Sequence, residues 1–275
     1  MSLKNWTIDE INAAMQANMH LHMTYFSTYV PSLRLISEPD VTVIQSSIPD
    51  DTFNYVLSAK FTSDNVDNRV KQVIALYTKQ KLPFSWWVGS FDTPKQLTSA
   101  LLAEGLFFKE ENIGMYLDLS QGILPEDSSS LEFAQVLNLP QIRDFTHIIE
   151  SIGGSTEAYE KLYSKAPLSC YQQGAPLEMH IAYLHNIPVV SGLIVFHADV
   201  AGLYYVATTP DHRKKGYGTA MMTYLLKRAQ SRNYQITTLQ ASSEGKTLYE
   251  RLGFKKSCSF KEYALPYIEE KALGR

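Results

Sequence analysis

Residues 208–220 read TTPDHRKKGYGTA, and this stretch decides how the chain is interpreted. It follows an apolar run at 202–207 that is typical of a strand, and it precedes a run at 221–229 that is typical of a helix. The first N–H groups of a helix are unpaired and carry partial positive charge, so anions bind there. Gly216 and Gly218 allow a ligand to approach the main chain. The stretch therefore predicts an anion-binding turn between a strand and a helix.

The spacing of the small and basic residues limits which anion this turn binds. Arg213, Lys214 and Lys215 add positive charge beside it. A P-loop requires a Lys-Ser or Lys-Thr pair after the last glycine, and none follows Gly218. The dinucleotide fingerprint requires a third small residue where Met221 stands. What remains is the pattern Arg-x-x-Gly-x-Gly, or a basic turn without a ligand.

A second motif lies downstream at the spacing of a known family. The pattern Arg-x-x-Gly-x-Gly resembles the acyl-CoA loop of the GNAT superfamily of N-acetyltransferases. Residues 248–254 read LYERLGF and resemble the Leu-Tyr-x-x-Leu-Gly-Phe segment of the same superfamily. A β-branched strand pattern at 236–241 lies between the two motifs. The resemblance implies an α/β fold with a mixed sheet over residues 131–265, the GNAT acyl-CoA transferase fold.

The resemblance also implies where acetyl-CoA binds. In the family, main-chain groups at a splayed strand end hold the thioester and the pantetheine arm. Alignment on Pro210 places that strand end at Val206, Ala207 and Thr208. The loop beside Arg213 would then hold the pyrophosphate through the following residues: Lys214, Lys215, Gly216, Tyr217, Gly218 and Thr219.

Two further residues are assigned through the Leu-Tyr segment and the turn before it. Tyr249 stands where the family often has a general acid, so the resemblance implies that its hydroxyl protonates the leaving CoA thiolate. The structural alternative is a tyrosine packed between helix and sheet. Ser242 stands where many relatives carry Asn, so the resemblance implies that its hydroxyl, in place of an amide, bonds the pantetheine.

The acceptor of the acyl group is expected to be an amine on a small molecule, a peptide or a protein. Candidate general bases are Glu178, Tyr205 and His197, and deprotonation by water is the alternative. His180 and His185 have no metal-ligand spacing with other residues, so no metal is expected. Several aromatic residues either line an acceptor pocket or belong to the core: Phe84, Trp86, Trp87, Tyr204 and Tyr205.

Composition limits the other functions. The 275 residues are 45% hydrophobic and 19% charged, with a net charge of −3 and no basic tract beyond 213–215, so no nucleic-acid partner is expected. No apolar run reaches the length of a membrane span, and no signal peptide is indicated. Cys170 and Cys258 form no CxxC motif, which suits a cytoplasmic protein. Two alternatives to an N-acetyltransferase are a non-catalytic acyl-CoA-binding module and a tandem-GNAT aminoacyl transferase, although the latter should present a basic surface to RNA.

A polar, turn-forming segment at 121–130 predicts a linker between two domains, 1–120 and 131–275. In the first half the pattern predicts a helix at 7–23, strands at 41–46, 53–60, 84–88 and 111–119, and helices at 66–80 and 94–104. This order is similar to the second half of the GNAT plan, but residues 61–69 lack the cofactor loop. We therefore predict a smaller, degenerate GNAT-like domain; an independent α/β domain is the alternative.

Overall fold

The computed structural model describes residues 4–121, 129–153, 158–172 and 174–265. The helices are α1 (Ile8–Thr24), α2 (Val66–Thr78), α3 (Leu97–Ala103), α4 (Leu139–Glu150), α5 (Ala158–Tyr163), α6 (Tyr217–Ser231) and α7 (Lys246–Arg251). The strands are β1 (Leu33–Glu38), β2 (Val41–Ser46), β3 (Tyr55–Leu57), β4 (Ser85–Val88), β5 (Phe107–Asp118), β6 (Glu132–Gln135), β7 (Leu177–Leu184), β8 (Ile187–His197), β9 (Val200–Thr208), β10 (Ile236–Ala241) and β11 (Lys255–Ala264). Mixed α/β architecture is confirmed.

One strand was not predicted, and another is shorter than predicted. The strand β1 pairs with β2 as a hairpin in which Glu38 lies opposite Val41. Only Leu33 is buried along β1, so the strand lacks the alternating apolar pattern by which strands are found in a sequence. Residues 53–60 form a strand only at β3, because a short helical turn, Asp51–Phe53, precedes it.

The chain folds into two compact units that do not follow the predicted boundary. The large unit comprises Met1–Pro31 and Ile113–Ser259, and the small unit comprises Ser32–Asn112 and Phe260–Arg275. The difference has a physical reason, because α1 packs on β8 and β9 instead of on the first half of the chain. Most of the predicted linker, residues 122–128, lies outside the described residues.

A buried asparagine joins α1 to the sheet of the large unit. The Asn18 Nδ2 atom donates to the carbonyls of Val195 and Val200 at 2.9 and 3.1 Å. Its Oδ1 atom accepts a 2.9 Å hydrogen bond from the Tyr204 hydroxyl. A side chain at Gly202 would place its Cβ 2.0 Å from the same Oδ1, so glycine is required for this close approach. These bonds fix the position of α1 along β9.

The sheet of the large unit runs β5, β10, β9, β8, β7, β6, with β5 entering at Ile113. Neighbouring strands are antiparallel except for β9 and β10, which are parallel and paired only from Val200–Ile236 to Gly202–Thr238. Helix α6 packs on one face, in a core that includes Leu203 of β9. Helix α1 covers the other face, where its apolar residues meet Val200 and Ile236.

The small unit has its own sheet and core. Its strands run β1, β2, β3, β4 and the end of β11, where Glu262 lies opposite Trp87. The pairs are antiparallel except β3 with β4. Helices α2 and α3 pack on this sheet, and the hydroxyl of the buried Tyr77 donates to the carbonyls of Ile44 and Tyr55. Phe84 and Trp86 belong to this core, so these two of the five aromatic residues considered above are core residues rather than lining of a pocket.

Among the described residues, no helix is both long enough and apolar enough to cross a membrane.

Candidate active site

The loop between β9 and α6 ends in a helix start with free amides. Gly216 is the N-cap of α6 and has φ +85°, a left-handed conformation that favours glycine. The first hydrogen bond of the helix runs from the Ala220 N–H to the Gly216 carbonyl. The N–H groups of Tyr217, Gly218 and Thr219 therefore have no partner within the helix. No acidic side chain lies in the first turn, so the helix start is free to attract an anion.

Three exposed cations surround this helix start. Arg213, Lys214 and Lys215 are all exposed. The Arg213 Nε donates to the Thr208 carbonyl at 3.4 Å, and the Lys215 Nζ donates to the Asp211 carbonyl at 3.0 Å. These are bonds to neutral carbonyls rather than ion pairs, so the positive charge of both side chains remains uncompensated. The loop can thus hold a polyanion by charge as well as through its amides.

A bulge in β9 lies just before the predicted thioester-binding residues. Ser191 of β8 is opposite Ala207, whereas Leu193 is opposite Tyr204, so β9 carries one extra residue between them. Tyr205 in this bulge has φ +49°, and its carbonyl accepts a 2.9 Å hydrogen bond from the Ser191 hydroxyl. The bulge changes the direction of the strand end that contains Val206.

The two parallel strands separate at the same level. Pairing between β9 and β10 stops at Gly202 and Thr238, although β9 continues to Thr208 and β10 to Ala241. From residue 203 onward, the edge of β9 that faces away from β8 therefore has no strand partner within the described parts of the chain. Main-chain groups at Val206 and Thr208 are available to a ligand, which fits the predicted splayed end.

The strand end, the start of α6 and α7 meet around Gly218. A Cβ at this position would lie 3.6 Å from the Thr208 Oγ1 and 3.7 Å from the Leu248 side chain. Tyr217, Leu248 and Tyr249 pack on the same core cluster of the large unit. The predicted thioester, pyrophosphate and acid positions thus belong to one locality of one unit.

Tyr249 has the properties of a proton donor. Burial raises the pKa of its hydroxyl to about 12, so the group stays protonated at neutral pH. Its ring contacts the Phe254 ring at 6.0 Å, and its hydroxyl bonds to none of the residues that the structure describes. Nearby, the exposed Ser242 accepts a 3.3 Å hydrogen bond from the Gly245 N–H through its Oγ, at the start of α7.

The buried carboxylate of Glu178 is poorly suited to act as a base. It accepts two 2.9 Å hydrogen bonds from Arg228 and lies 3.3 Å from the His180 Nε2. Burial alone would raise the pKa of the Glu178 carboxyl. The hydrogen bonds from His180 and Arg228 outweigh that effect and lower the pKa to about 2. Arg228 also lies three turns beyond Tyr217, about 16 Å along α6. Glu178 therefore stabilises the far end of α6 on the sheet.

The other two base candidates are placed differently. His197 is exposed at the β8–β9 turn, at the opposite end of β9 from the bulge. Tyr205 lies in the bulge, and its ring contacts the rings of Phe145, Tyr159 and His22. The sequence pattern does not point to His22, because it places α1 in the other domain. The signal in the sequence is the four-residue spacing of His22 from Asn18, which puts both side chains on one face of α1.

Comparison with known families and structures identifies the same region. The family model described as an acetyltransferase (GNAT) domain matches residues 177–256. A GCN5-related N-acetyltransferase from Kribbella flavida is similar in structure, with a TM-score of 0.70, 14% identity and coverage of 93% of this chain and 96% of that chain. No curated protein matches this chain in sequence.

Two further solved structures share the fold over almost the whole chain. A tandem GNAT protein from the clavulanic acid biosynthesis pathway has a TM-score of 0.61 at 9% identity and covers 96% of each chain. A GCN5-related N-acetyltransferase from Sphaerobacter thermophilus has a TM-score of 0.60 at 11% identity, covering 97% of this chain and 96% of that chain. The likeness therefore extends beyond residues 177–256 and includes the first half, whose fold is GNAT-like.

Proposed function

We propose that the protein transfers an acetyl group directly from acetyl-CoA to an amine acceptor, since residues 177–256 match the model of a GNAT acetyltransferase domain. The observation that carries the proposal is the helix start at Gly216, with its free amides and exposed cations. It matches a pyrophosphate in charge and in hydrogen bonding. The Lys214–Thr219 loop would hold the pyrophosphate, and the main chain at Val206–Thr208 would hold the thioester arm.

The reaction that we propose is a single displacement. The amine nitrogen attacks the thioester carbonyl carbon, a C–N bond forms, and the C–S bond breaks with its electron pair on sulfur. Tyr249 gives its hydroxyl proton to the thiolate, and the proton lost by the amine nitrogen passes to water, from which Tyr249 is reprotonated. The Tyr249 hydroxyl carries its proton throughout the neutral range, as this role requires, and it bonds to none of the residues that the structure describes.

The proposal is tested with the purified full-length chain, acetyl-CoA and a panel of amines that includes 2-phenylethylamine, spermidine, glucosamine and a lysine peptide. Thiol release is measured together with CoA binding by calorimetry. We expect CoA to bind and at least one amine to stimulate thiol release, with the acetylated amine detected by mass spectrometry. CoA binding without release for any amine would instead identify a non-catalytic acyl-CoA-binding module.

A further inference from the structure

His22 lies beside the β9 bulge on the face of the sheet opposite α6. Its ring is stacked on Tyr204 at 3.9 Å with an interplanar angle of 10°, and it meets the edge of Tyr205 at 5.4 Å. These tyrosines are one and two residues before Val206, the first residue of the predicted thioester-binding end. Since adjacent Cα atoms are about 3.8 Å apart, His22 lies within a few residue spacings of that end.

The imidazole has no assigned task in the fold. It is only partly buried, and neither ring nitrogen bonds to any of the residues that the structure describes. Its position is nevertheless fixed, because Asn18 lies one helical turn earlier on the same face of α1 and bonds both the sheet and the Tyr204 hydroxyl. The His22 ring is therefore preorganised, and its nitrogens are free to bind a ligand.

Two more unpaired polar atoms belong to β10, the strand that separates from β9 here. The Thr238 Oγ1 and Gln240 Nε2 atoms are buried without hydrogen-bond partners in the described part of the chain. Alternation along β10 puts both side chains on the α1 face, as for Ile236. Gly202 pairs with Thr238, so Gln240 is level with Tyr204, on which His22 is stacked. The gap between the separated strands thus has polar atoms on both sides.

The faces of β9 give each substrate a separate approach. The acyl-CoA site lies on the α6 and α7 side, whereas His22 lies on the α1 side. An acceptor arriving on the α1 side reaches the thioester only where β9 and β10 have separated. We propose that His22 binds the acceptor, accepting a hydrogen bond from the amine nitrogen beside the Tyr205 bulge, while Gln240 donates to the acceptor from β10. This assignment rests on the proposed N-acetyltransferase function.

The chemistry of the site suits an amine on an apolar or aromatic group. Although part of the side chain is exposed, the ring packs against Tyr204 and Tyr205, and this desolvation lowers the pKa of His22, so its ring is neutral and retains a lone pair at neutral pH. The rings around it are those of Tyr204 and Tyr205, with Phe145 and Tyr159 behind Tyr205. Flat apolar walls with one hydrogen-bond acceptor select 2-phenylethylamine over the polycation spermidine, which binds best to carboxylates.

Two substitutions separate hydrogen bonding from packing. His22→Phe keeps a flat ring against Tyr204 but removes both nitrogens, whereas His22→Gln loses the ring and restores an amide oxygen. We expect His22→Phe to lower kcat/KM for the acceptor about 10-fold, mainly through KM, at unchanged KM for acetyl-CoA. His22→Gln should recover part of that loss despite a lower melting temperature. His147→Phe, at an exposed position of α4, is the matched control and should leave both constants unchanged.

Each outcome tests either the role of His22 or the proposed N-acetyltransferase function on which that role rests. Transfer by His22→Phe at the wild-type rate would overturn the role of His22 and leave the N-acetyltransferase function intact. Parallel losses of activity and melting temperature in both variants would show that His22 is structural and would also overturn it. If the wild-type chain binds CoA but acetylates no amine, the function itself fails and this inference fails with it. Preference for spermidine over 2-phenylethylamine would overturn the acceptor class.

Discussion

The β9–α6 connection of the large unit and the β3–α2 connection of the small unit join a strand to a helix in the same order, but their helix starts differ. Helix α6 begins after Gly216 in the left-handed region, with no acid in its first turn. Helix α2 begins after Asn65, which has φ −117°, and its own Asp67 lies in the first turn. The Asn65 Oδ1 also accepts a 2.9 Å hydrogen bond from the Thr62 N–H. Neither helix has a side-chain cap, so the difference lies in charge: Asp67 offsets the positive end of α2, whereas no acidic side chain does so in the first turn of α6.

The turns that follow α7 and α3 repeat this contrast. The Phe254 N–H donates to the Tyr249 carbonyl at 3.0 Å, and the Leu106 N–H donates to the Leu101 carbonyl at 3.1 Å. Both helices end at a glycine with positive φ, Gly253 and Gly105. Tyr249 and Leu101 therefore occupy equivalent places, one with an unbonded hydroxyl and the other a fully buried apolar side chain. Of the two described units, the large one therefore carries the features on which the proposed acetyl transfer depends.

The largest expected effect comes from substituting Tyr249 and Leu101 separately, one for its hydroxyl and the other for its packing. Tyr249→Phe should lower kcat for thiol release by about 100-fold or more, because a general acid contributes this much, while the free energy of unfolding changes little. Leu101→Ala should do the reverse, lowering the free energy of unfolding by about 2–5 kcal/mol through a cavity in the small unit. Steady-state kinetics and urea unfolding measure the two effects. Unchanged kcat in Tyr249→Phe would remove the tyrosine from the mechanism.

The next effect separates backbone strain from cofactor binding. Gly216 and Gly105 both have φ +85°, and a Cβ at either would meet no atom within 4 Å. Alanine should therefore cost a similar amount at both, about 1–2 kcal/mol of unfolding free energy. Only Gly216→Ala should also weaken CoA binding, by about 10-fold, because it displaces the free amides of α6. Calorimetry with CoA measures this, and equal affinities in the two variants would contradict a pyrophosphate site at Gly216.

The fold of the large unit can be predicted from its sequence for a local reason. The Arg-x-x-Gly-x-Gly loop and the LYERLGF segment are short motifs whose conformation depends on neighbouring residues, so the GNAT fold was predicted and confirmed. The place of α1 could not be read in the same way. Its contacts with β8 and β9 join residues about 180 positions apart, and an amphipathic pattern does not say which sheet a helix will cover. His22 was missed for that reason, and β1 because its one buried side chain leaves no periodic signal.

A smaller effect should follow from removing the cations of the loop. The double variant Lys214→Gln, Lys215→Gln should weaken CoA binding by about 3- to 10-fold and reduce its dependence on salt, since exposed charges act through screened Coulomb attraction. The matched control, Lys71→Gln with Lys79→Gln, removes the same charge from α2 and its C-cap residue in the small unit. It should leave CoA affinity unchanged at every ionic strength. Equal weakening by both pairs would mean that only the net charge of the chain matters.

The smallest effect concerns Ser242, where the large unit departs from the family pattern. Its Oγ accepts the Gly245 N–H in the turn before α7, and neither Gly245 of α7 nor Gln96 of α3 makes a side-chain cap. Ser242→Ala should cost about 0.5–1 kcal/mol of stability through this one hydrogen bond and change CoA affinity by less than about 3-fold. Ser242→Asn keeps an acceptor oxygen and adds an amide donor for the pantetheine, so it should bind CoA at least as tightly as the wild type. Gln96→Ala is the control and should alter neither property; weaker CoA binding by Ser242→Asn would show that this turn does not reach the pantetheine.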